Sequence, residues 1–414
     1  MSAAEGVVHA PGSKSYTIRA ALCAAMAEGE SLIAGALQSD DSTAVLDCVR
    51  GLGAGVSESE QGIVIRGGCL RPDSAPLWCR ESGATFRFLA ALAATIPGRT
   101  ILRCAPSLAR RPMQPLVEAI RQLGAECDFD SLTGTLIVCG RRQQTGHVRL
   151  RGDVSSQFLS AILLSGPRYD QGLRIDVSSE VVSERYVQMT LSCMREFGVE
   201  VCVSEGGRRF AVPAGAYMPT RYTVEGDWST GAALLGLGAL AGEVRVLGLC
   251  RTSLQADTMM VELLQRINAQ VLVDSTGVTT RKSALEGDTF DLAESIDLLP
   301  VACILAATAE GVTRLTGIAR ARDKESDRVA AMTEGLTRLG VRVEVEADEM
   351  RVWGGAVRGG VISSAGDHRI AMAFGVIGAA IGDIVVEDAG CVSKTFPGFW
   401  DSLSSLGVKV QLNE

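Results

Sequence analysis

A chain of 414 residues with 47% hydrophobic and 21% charged residues is long enough to bury more than one core and too apolar to be disordered. Its net charge of -8 argues against a general nucleic-acid binder, because phosphate-backbone binding needs a broad basic surface; any anion must be held by a local cluster of cations. Twelve cysteines without a C-x-x-C pair, no basic-then-apolar leader in Met1-Ser2-Ala3-Ala4-Glu5-Gly6 and no apolar run long enough for a bilayer predict a cytoplasmic protein with reduced thiols and no membrane partner.

In chain order, a helix is expected over residues 16–27, a strand over 31–34, a second helix from Ser42 to Gly53, and a hairpin at Gln61-Gly62. The same succession recurs five more times. Its marker is a helix that ends at glycine or asparagine before a β-type run: Gly53, Gly124, Gly198, Asn268, Gly340 and Gly407, spaced by 71, 74, 70, 72 and 67 residues. Glycine and asparagine tolerate the left-handed conformation in which helices stop, so each marker is read as the residue just past a helix end. Hairpin turns are expected near Thr133-Gly134, Gly206-Gly207, Ser275-Thr276-Gly277 and Ala347-Asp348, and the last copy runs out at Glu414. Six helix, strand, helix, hairpin units make an α/β fold of βαβαββ-like modules.

Polar residues interrupt this pattern at two fixed phases. About forty residues before each marker, at the start of the first helix, stand Ser13-Lys14-Ser15, Glu81-Ser82-Gly83-Ala84, Ser155-Ser156-Gln157, Asp227-Trp228-Ser229, Ser295-Ile296-Asp297 and Asp367-His368-Arg369. About a dozen residues before it, at the start of the second helix, stand Asp40-Asp41, Arg111-Pro112, Ser183 with Tyr186, Asp257, Lys324-Glu325 with Arg328, and Lys394-Thr395. Helix starts bind anions through unpaired N–H groups and the positive end of the dipole. Capping explains the serines and aspartates, and Asp40-Asp41 is read as a cap because no cation accompanies it. It does not explain Lys14, Arg19, Arg87, Arg111, Arg328, Arg369 and Lys394, since a cation in a first turn opposes the dipole. A negative ligand is expected to compensate for them. His9 and His147 lack neighbours at metal-ligand spacing, so no metal is expected, and Trp228, Trp353 and Trp400 are read as packing residues.

Pro11-Gly12-Ser13-Lys14-Ser15-Tyr16-Thr17-Ile18-Arg19-Ala20 closely resembles the P-G-S-K-S-x-x-x-R-A signature of the 5-enolpyruvylshikimate-3-phosphate synthase family. Seven further strings resemble that family's motifs in order: Arg111-Pro112-Met113, Val154 to Leu159, Val182-Ser183 with Tyr186, Val224-Glu225-Gly226-Asp227, Lys324 to Arg328, Asp367 to Met372, and Ser393 to Pro397. Eight strings in register are far more specific than one.

The resemblance implies two inside-out α/β barrel domains of three repeats each, residues 13–224 and residues 1–12 with 225–414, with the active site in the cleft between them. It implies transfer of the enolpyruvyl group of phosphoenolpyruvate to the 5-hydroxyl of shikimate 3-phosphate, with release of phosphate, without metal or cofactor, in a monomer. Shikimate 3-phosphate would be bound by Lys14, Ser15, Arg19, Ser155, Ser156, Gln157, Ser183, Tyr186, Asp297 and Lys324. Phosphoenolpyruvate would be bound by Lys14, Gly83, Arg87, Arg111, Gln157, Arg328, His368, Arg369 and Lys394. Arginine suits these places because its planar fork meets carboxylate or phosphate with two hydrogen bonds. Asp297 would be the base for the 5-hydroxyl, with Asp291 as the alternative, Glu325 would protonate the methylene carbon, and Lys14 would assist phosphate departure. Two departures stand out: Glu81-Ser82-Gly83-Ala84 replaces the Asn-x-Gly-Thr of many relatives, and Arg320-Ala321-Arg322-Asp323 before Lys324 differs from the usual pattern, so no ligand role is assigned to Arg320. Against the sibling transferase acting on UDP-N-acetylglucosamine, residues 106–110 contain no cysteine. An RNA 3′-phosphate cyclase and a non-catalytic repeat scaffold fit the acidic balance and the phased cations less well.

Overall fold

The computed structural model describes residues 4–72, 75–141 and 146–412. Each marker residue has positive φ: Gly53 98°, Gly124 90°, Gly198 83°, Asn268 67°, Gly340 83° and Gly407 85°. Behind each, the next N–H bonds back across the helix end. Ala54 N donates to Val49 O at 3.0 Å, Ala125 to Ile120 at 3.3 Å, Val199 to Met194 at 2.9 Å, Ala269 to Leu264 at 2.9 Å, Val341 to Leu336 at 3.0 Å and Val408 to Leu403 at 3.1 Å. This six-to-one bond closes a helix on an αL residue and satisfies carbonyls that would otherwise be orphaned. The six markers are therefore six copies of one stop device.

The helices differ slightly from expectation at their starts. The first runs Lys14–Met26 and the second Asp40–Gly51. Ser39, not Asp40 or Asp41, caps the second: Ser42 N donates to Ser39 Oγ at 3.4 Å and Ser39 N to Ser42 Oγ at 2.8 Å, a reciprocal pair.

Five sheets have four strands and one has two among the described residues. The second unit shows the plan. Leu77–Trp78 lies parallel to Gly98–Arg103 across the helix Gly83–Ala93, and Gly98–Arg103 pairs antiparallel with Thr135–Gly140, the return strand of a hairpin from Glu126–Asp130. Units one and four exchange their first strands. Ala4–His9 precedes the helix Lys14–Met26 yet pairs parallel with Gly242–Leu247, whereas Arg221–Thr223 precedes the helix Trp228–Ala241 yet pairs with Gly29–Ala34. The chain divides into two compact units, Gly12–Val224 and Met1–Pro11 with Glu225–Glu414. Among the described residues the sixth sheet consists of Gly360–Ser363 and Ile384–Glu387.

Within each unit the three first helices pack on one another with the sheets outside them. Most of these helices are rich in Ala and all are buried nearly all round; in Trp228–Ala241 only Ser229 escapes burial. A helix apolar on every side belongs at the centre of a core. The second helices are one-sided and lie outside, as in Gln114–Gln122, which buries Leu116, Val117, Ala119 and Ile120. The starts of the central helices, with the turns beside them, carry the polar residues of both phases.

Candidate active site

In the unit Gly12–Val224, Lys14 opens its helix with Nζ 3.3 Å from Asp41 Oδ2. Asp41 is buried in the first turn of Asp40–Gly51, where the dipole favours a carboxylate. Asp40 meets Arg80 at 3.4 Å. The expectation that these aspartates form a cap unaccompanied by cations is thus corrected: Ser39 does the capping, and the two carboxylates hold cations.

Arg19 is buried and fixed by three bonds, from Nε to Thr190 Oγ1 at 2.8 Å, from Nη1 to Ser15 O at 2.8 Å and from Nη2 to Tyr186 O at 3.1 Å. It ties the first repeat to the third and orients the backbone beside Ser15 and Tyr186. Ser183, just before Tyr186, is buried with φ 51°, a left-handed value costly for serine. Ser155 caps Ser156–Ser165 by accepting from Gln157 N at 3.3 Å, and Ser156 is buried beside it. Gln157 Oε1 accepts from Arg87 Nη1 at 2.6 Å, and Arg87 Nη2 donates to Pro112 O at 2.9 Å. A Cβ on Gly83 would lie 3.3 Å from Arg87 Nη1 and 3.5 Å from Arg111 Nη1, so both guanidiniums crowd the backbone at this helix start. Glu81 is tied by a hydrogen bond from the Ser107 hydroxyl. All three repeats of this unit thus supply one cationic and hydroxyl-rich cluster.

In the other unit the cluster centres on Arg328, the first residue of Arg328–Arg338 and 1% exposed. Its Nη1 donates to Asp297 Oδ1 at 2.6 Å, Nη2 to Glu325 Oε2 at 2.8 Å and Nε to Asp367 Oδ2 at 2.8 Å. Asp297 also meets Arg369 Nη2 at 3.4 Å and Lys324 Nζ at 3.5 Å. Burial alone would push the Asp297 carboxyl up; the charges of Arg369, Lys324 and Arg328 outweigh it and hold that carboxyl well below the usual carboxylate range. Burial lowers the Lys324 ammonium despite the opposing pull of Asp297. His368 is fully buried, with Nδ1 3.6 Å from Asp367 Oδ1, and Lys394 is buried at the end of the turn Ala389–Lys394. Asp367 caps His368–Ile381 by accepting from Arg369 N at 2.9 Å.

Asp291, the alternative base, stands exposed at the end of Thr289–Asp291 and accepts from Ala293 N at 2.9 Å. Asp297 is the aspartate in the cation cluster. Arg320 donates to Ala293 O.

Two further expectations change. Arg19 and Arg87 belong to the second turns of their helices, while Arg111 and Lys394 precede theirs. Nor is the compensating charge left to a ligand alone, because Asp41 faces Lys14, Asp297 faces Arg369, and three carboxylates surround Arg328. Asp41 and Asp367 were passed over as caps. The sequence signal is that each occupies one of the two helix-start phases while its cation occupies the other, in the same repeat for Asp41 with Lys14 and in the preceding repeat for Asp367 with Arg328.

Residues 1–403 match the family EPSP synthase (3-phosphoshikimate 1-carboxyvinyltransferase). The chain belongs to the EPSP synthase family. It is 39% identical over 407 residues to the 3-phosphoshikimate 1-carboxyvinyltransferase of Dehalococcoides mccartyi, covering 98% of this chain and 96% of that one. With the Thermococcus kodakarensis enzyme of the same name it shares 40% identity over 409 residues, 97% of each. The structure of EPSP synthase from Acinetobacter baumannii superposes with a TM-score of 0.84 at 26% identity, over 100% of this chain and 98% of that one. The enolpyruvyl transferase NikO from Streptomyces tendae shares the fold, with a TM-score of 0.80 at 17% identity over 99% of this chain and 96% of that one.

As an EPSP synthase, the chain transfers the enolpyruvyl group of phosphoenolpyruvate to shikimate 3-phosphate. That reaction brings two phosphates and two carboxylates together, which calls for fixed cations and preorganised N–H donors. Asp297 and Glu325 both stand in hydrogen-bond contact with the Arg328 guanidinium. Among the described residues no helix is long and apolar enough to cross a membrane.

Proposed function

We propose that shikimate 3-phosphate is held mainly by Lys14, Ser15, Arg19, Ser155, Ser156, Gln157, Ser183 and Tyr186 of residues 13–224, with Asp297 and Lys324 reaching its ring. Phosphoenolpyruvate is held by Lys14, Gly83, Arg87, Arg111, Gln157, Arg328, His368, Arg369 and Lys394, so that Lys14 and Gln157 reach both substrates. The observation that carries this reading is that one guanidinium, that of Arg328, holds Asp297 and Glu325 while Lys324 and Arg369 flank Asp297, whereas the alternative Asp291 accepts from Ala293 N.

The steps follow from the charges. Asp297, kept ionised by its cations, accepts the proton of the 5-hydroxyl as that oxygen bonds to C2 of phosphoenolpyruvate. Glu325 delivers a proton to C3, turning the methylene into a methyl group. The intermediate then loses phosphate from C2 while a C3 proton returns to Glu325, which restores the double bond. Lys14 offsets the charge gathering on the departing phosphate, which takes up the proton held by Asp297 and leaves as hydrogen phosphate, so that both carboxyls return to their starting states. Arg328 already spends most of its donors on Asp297, Glu325 and Asp367, so the carboxylate of phosphoenolpyruvate takes its place by competing with protein carboxylates.

All twelve cysteines are free, which supports a cytoplasmic location. One chain carries every group the steps require, which supports a monomer; light scattering tests it. The decisive experiment replaces Asp297 and Asp291 by alanine in separate variants. Asp297→Ala should leave shikimate 3-phosphate binding measurable while turnover falls by about three orders of magnitude or more, and Asp291→Ala should stay near wild type. The reverse outcome would transfer the base to Asp291.

A further inference from the structure

Thr190 lies in the helix Glu184–Glu196, one turn beyond Tyr186, and is fully buried. A threonine inside a helix commonly bonds back to the carbonyl four residues before it, and Thr190 does so, with Oγ1 2.9 Å from Tyr186 O. Two further contacts are not local. Oγ1 accepts from Arg19 Nε at 2.8 Å, 171 positions away, and lies 2.9 Å from Oγ of the fully buried Ser160. One hydroxyl therefore joins the helices Lys14–Met26, Ser156–Ser165 and Glu184–Glu196.

These contacts close a ring on one edge of a guanidinium. Arg19 Nε meets Thr190 Oγ1, Arg19 Nη2 meets Tyr186 O at 3.1 Å, and Thr190 Oγ1 meets that same carbonyl. Such an edge is a fork that suits a carboxylate or phosphate, yet here it is filled by neutral oxygens of the protein. Nη1 donates to a third, Ser15 O, at 2.8 Å, and the guanidinium lies over the Phe88 ring, 5.2 Å from its centroid. Lys14, Arg328 and Arg369, by contrast, face carboxylates. Arg19, 2% exposed, thus grips the carbonyls of Ser15 and Tyr186 in the first turns of two helices. Thr190 holds the one donor, Nε, that lies nearest the stem of the side chain.

We propose that Thr190 is a positioning residue for shikimate 3-phosphate: its hydroxyl fixes the plane of the Arg19 guanidinium, and that plane, through the carbonyls of Ser15 and Tyr186, sets where those two side chains stand. A methyl group in place of the hydroxyl would leave a charged N–H without its acceptor in the interior, which is costly. The guanidinium would turn toward another oxygen, and the first turns that carry Ser15 and Tyr186 would shift with it. Lys14 keeps its own anchor in Asp41, so the capture of phosphoenolpyruvate is spared.

The inference rests on the assignment of Ser15 and Tyr186 to shikimate 3-phosphate, and the test separates the two. Thr190→Val keeps the shape and removes the hydroxyl, Thr190→Ser keeps the hydroxyl, and Thr190→Cys keeps only a weak acceptor. In titration calorimetry with shikimate 3-phosphate, Thr190→Val should bind about tenfold more weakly than wild type, Thr190→Cys should fall between them, and Thr190→Ser should stay within about threefold of wild type. In steady state the loss should appear in the KM for shikimate 3-phosphate, with kcat and the KM for phosphoenolpyruvate within about threefold. A merely structural role would loosen the fold and weaken both substrates together. If Thr190→Val does not fold, Thr190→Cys against Thr190→Ser makes the same comparison. Wild-type affinity in the valine and cysteine variants, a loss shared by both substrates, or a serine variant as weak as the valine one would overturn the proposal. Ser156→Ala, a substitution outside the ring around Arg19, checks the assignment itself. If it too leaves the affinity for shikimate 3-phosphate unchanged, the substrate has been placed wrongly; if it weakens binding and Thr190→Val does not, only the role of Thr190 has failed.

Discussion

Arg328 and Asp297 lie 31 positions apart and meet at 2.6 Å, Nη1 to Oδ1, with the arginine side chain 1% exposed. The same guanidinium serves Glu325 and the fully buried Asp367. Its removal strands buried carboxylates. Arg328→Ala should therefore cost about 3–5 kcal/mol of stability, the range for breaking a buried ion pair from one side. Arg328→Lys should recover only part, because one ammonium cannot face three carboxylates in a plane. Urea unfolding measures both, and a loss below about 1 kcal/mol for the alanine variant would contradict the buried network.

Asp297 gives this network a pH signature. Its carboxyl is held below the usual range in the fold, so its contribution is complete above the unfolded value of about 3.9 and fades as pH falls from there toward the lower folded value. The stability difference between wild type and Asp297→Asn should be constant from neutral pH to about pH 5 and then move against the wild type. Urea midpoints from pH 7 to pH 3 test the sign. A difference that stays flat, or moves in favour of the wild type in acid, would mean that the carboxyl is not held down.

Much of this was legible in the sequence because its cause is local. A helix that stops in the left-handed conformation demands glycine or asparagine, so Gly53 through Gly407 disclosed six units whatever surrounds them. Lys14, Arg328 and Arg369 stood out because a cation at a helix start opposes the dipole. Their partners did not. Asp41 and Asp367 sit where aspartate is an ordinary first-turn or capping residue, and only tertiary packing shows that they also bind Lys14 and Arg328. The exchange of Ala4–His9 and Arg221–Thr223 between sheets was likewise invisible in the residues, since strand pairing over some two hundred positions leaves no periodic trace. The crossing points came from the resemblance alone.

Asp41 should matter through Lys14. The pair meets at 3.3 Å with Asp41 5% exposed, so Asp41→Asn removes the charge that sets the ammonium in place. A displacement of about 1 Å at a catalytic group can cost on the order of a hundredfold. We expect kcat/KM to fall by about ten- to a hundredfold for both substrates, with a small change in melting temperature. Steady-state kinetics with each substrate varied in turn is the check, and a loss confined to one substrate would place Asp41 elsewhere in the mechanism.

The thiols should divide by burial. Cys69, Cys202 and Cys250 are exposed, whereas Cys23, Cys48, Cys79, Cys104, Cys127, Cys193 and Cys303 are buried. Burial pushes Cys104 to about 11 and Cys127 to about 12, which keeps both protonated and unreactive at pH 8. A colorimetric thiol titration should show about three fast thiols in the native protein and twelve after denaturation. Modifying the fast set should leave turnover intact, because none belongs to either cluster. Rapid inactivation matched to one thiol would bring back a cysteine-dependent mechanism.

Gly335 tests the packing that supports Arg328. It lies in the same helix, two turns on, and a Cβ there would come 2.2 Å from Cζ and 2.7 Å from Cε2 of the fully buried Phe374. Two effects compete in Gly335→Ala. Alanine improves helix propensity by about 1 kcal/mol, whereas overpacking a filled core costs about 1–3 kcal/mol. The overlap is too deep for a small adjustment, and Phe374 is hemmed in on its own helix, so the packing cost should win. The variant should be less stable by up to about 2 kcal/mol, the difference of those terms. Because the helix must shift as a body, Arg328 at its start should move with it and kcat/KM should fall even where the protein remains folded. Unfolding and kinetics on the same preparation decide the matter, and a variant that is both more stable and fully active would show that the Phe374 ring yields and the helix stays in place.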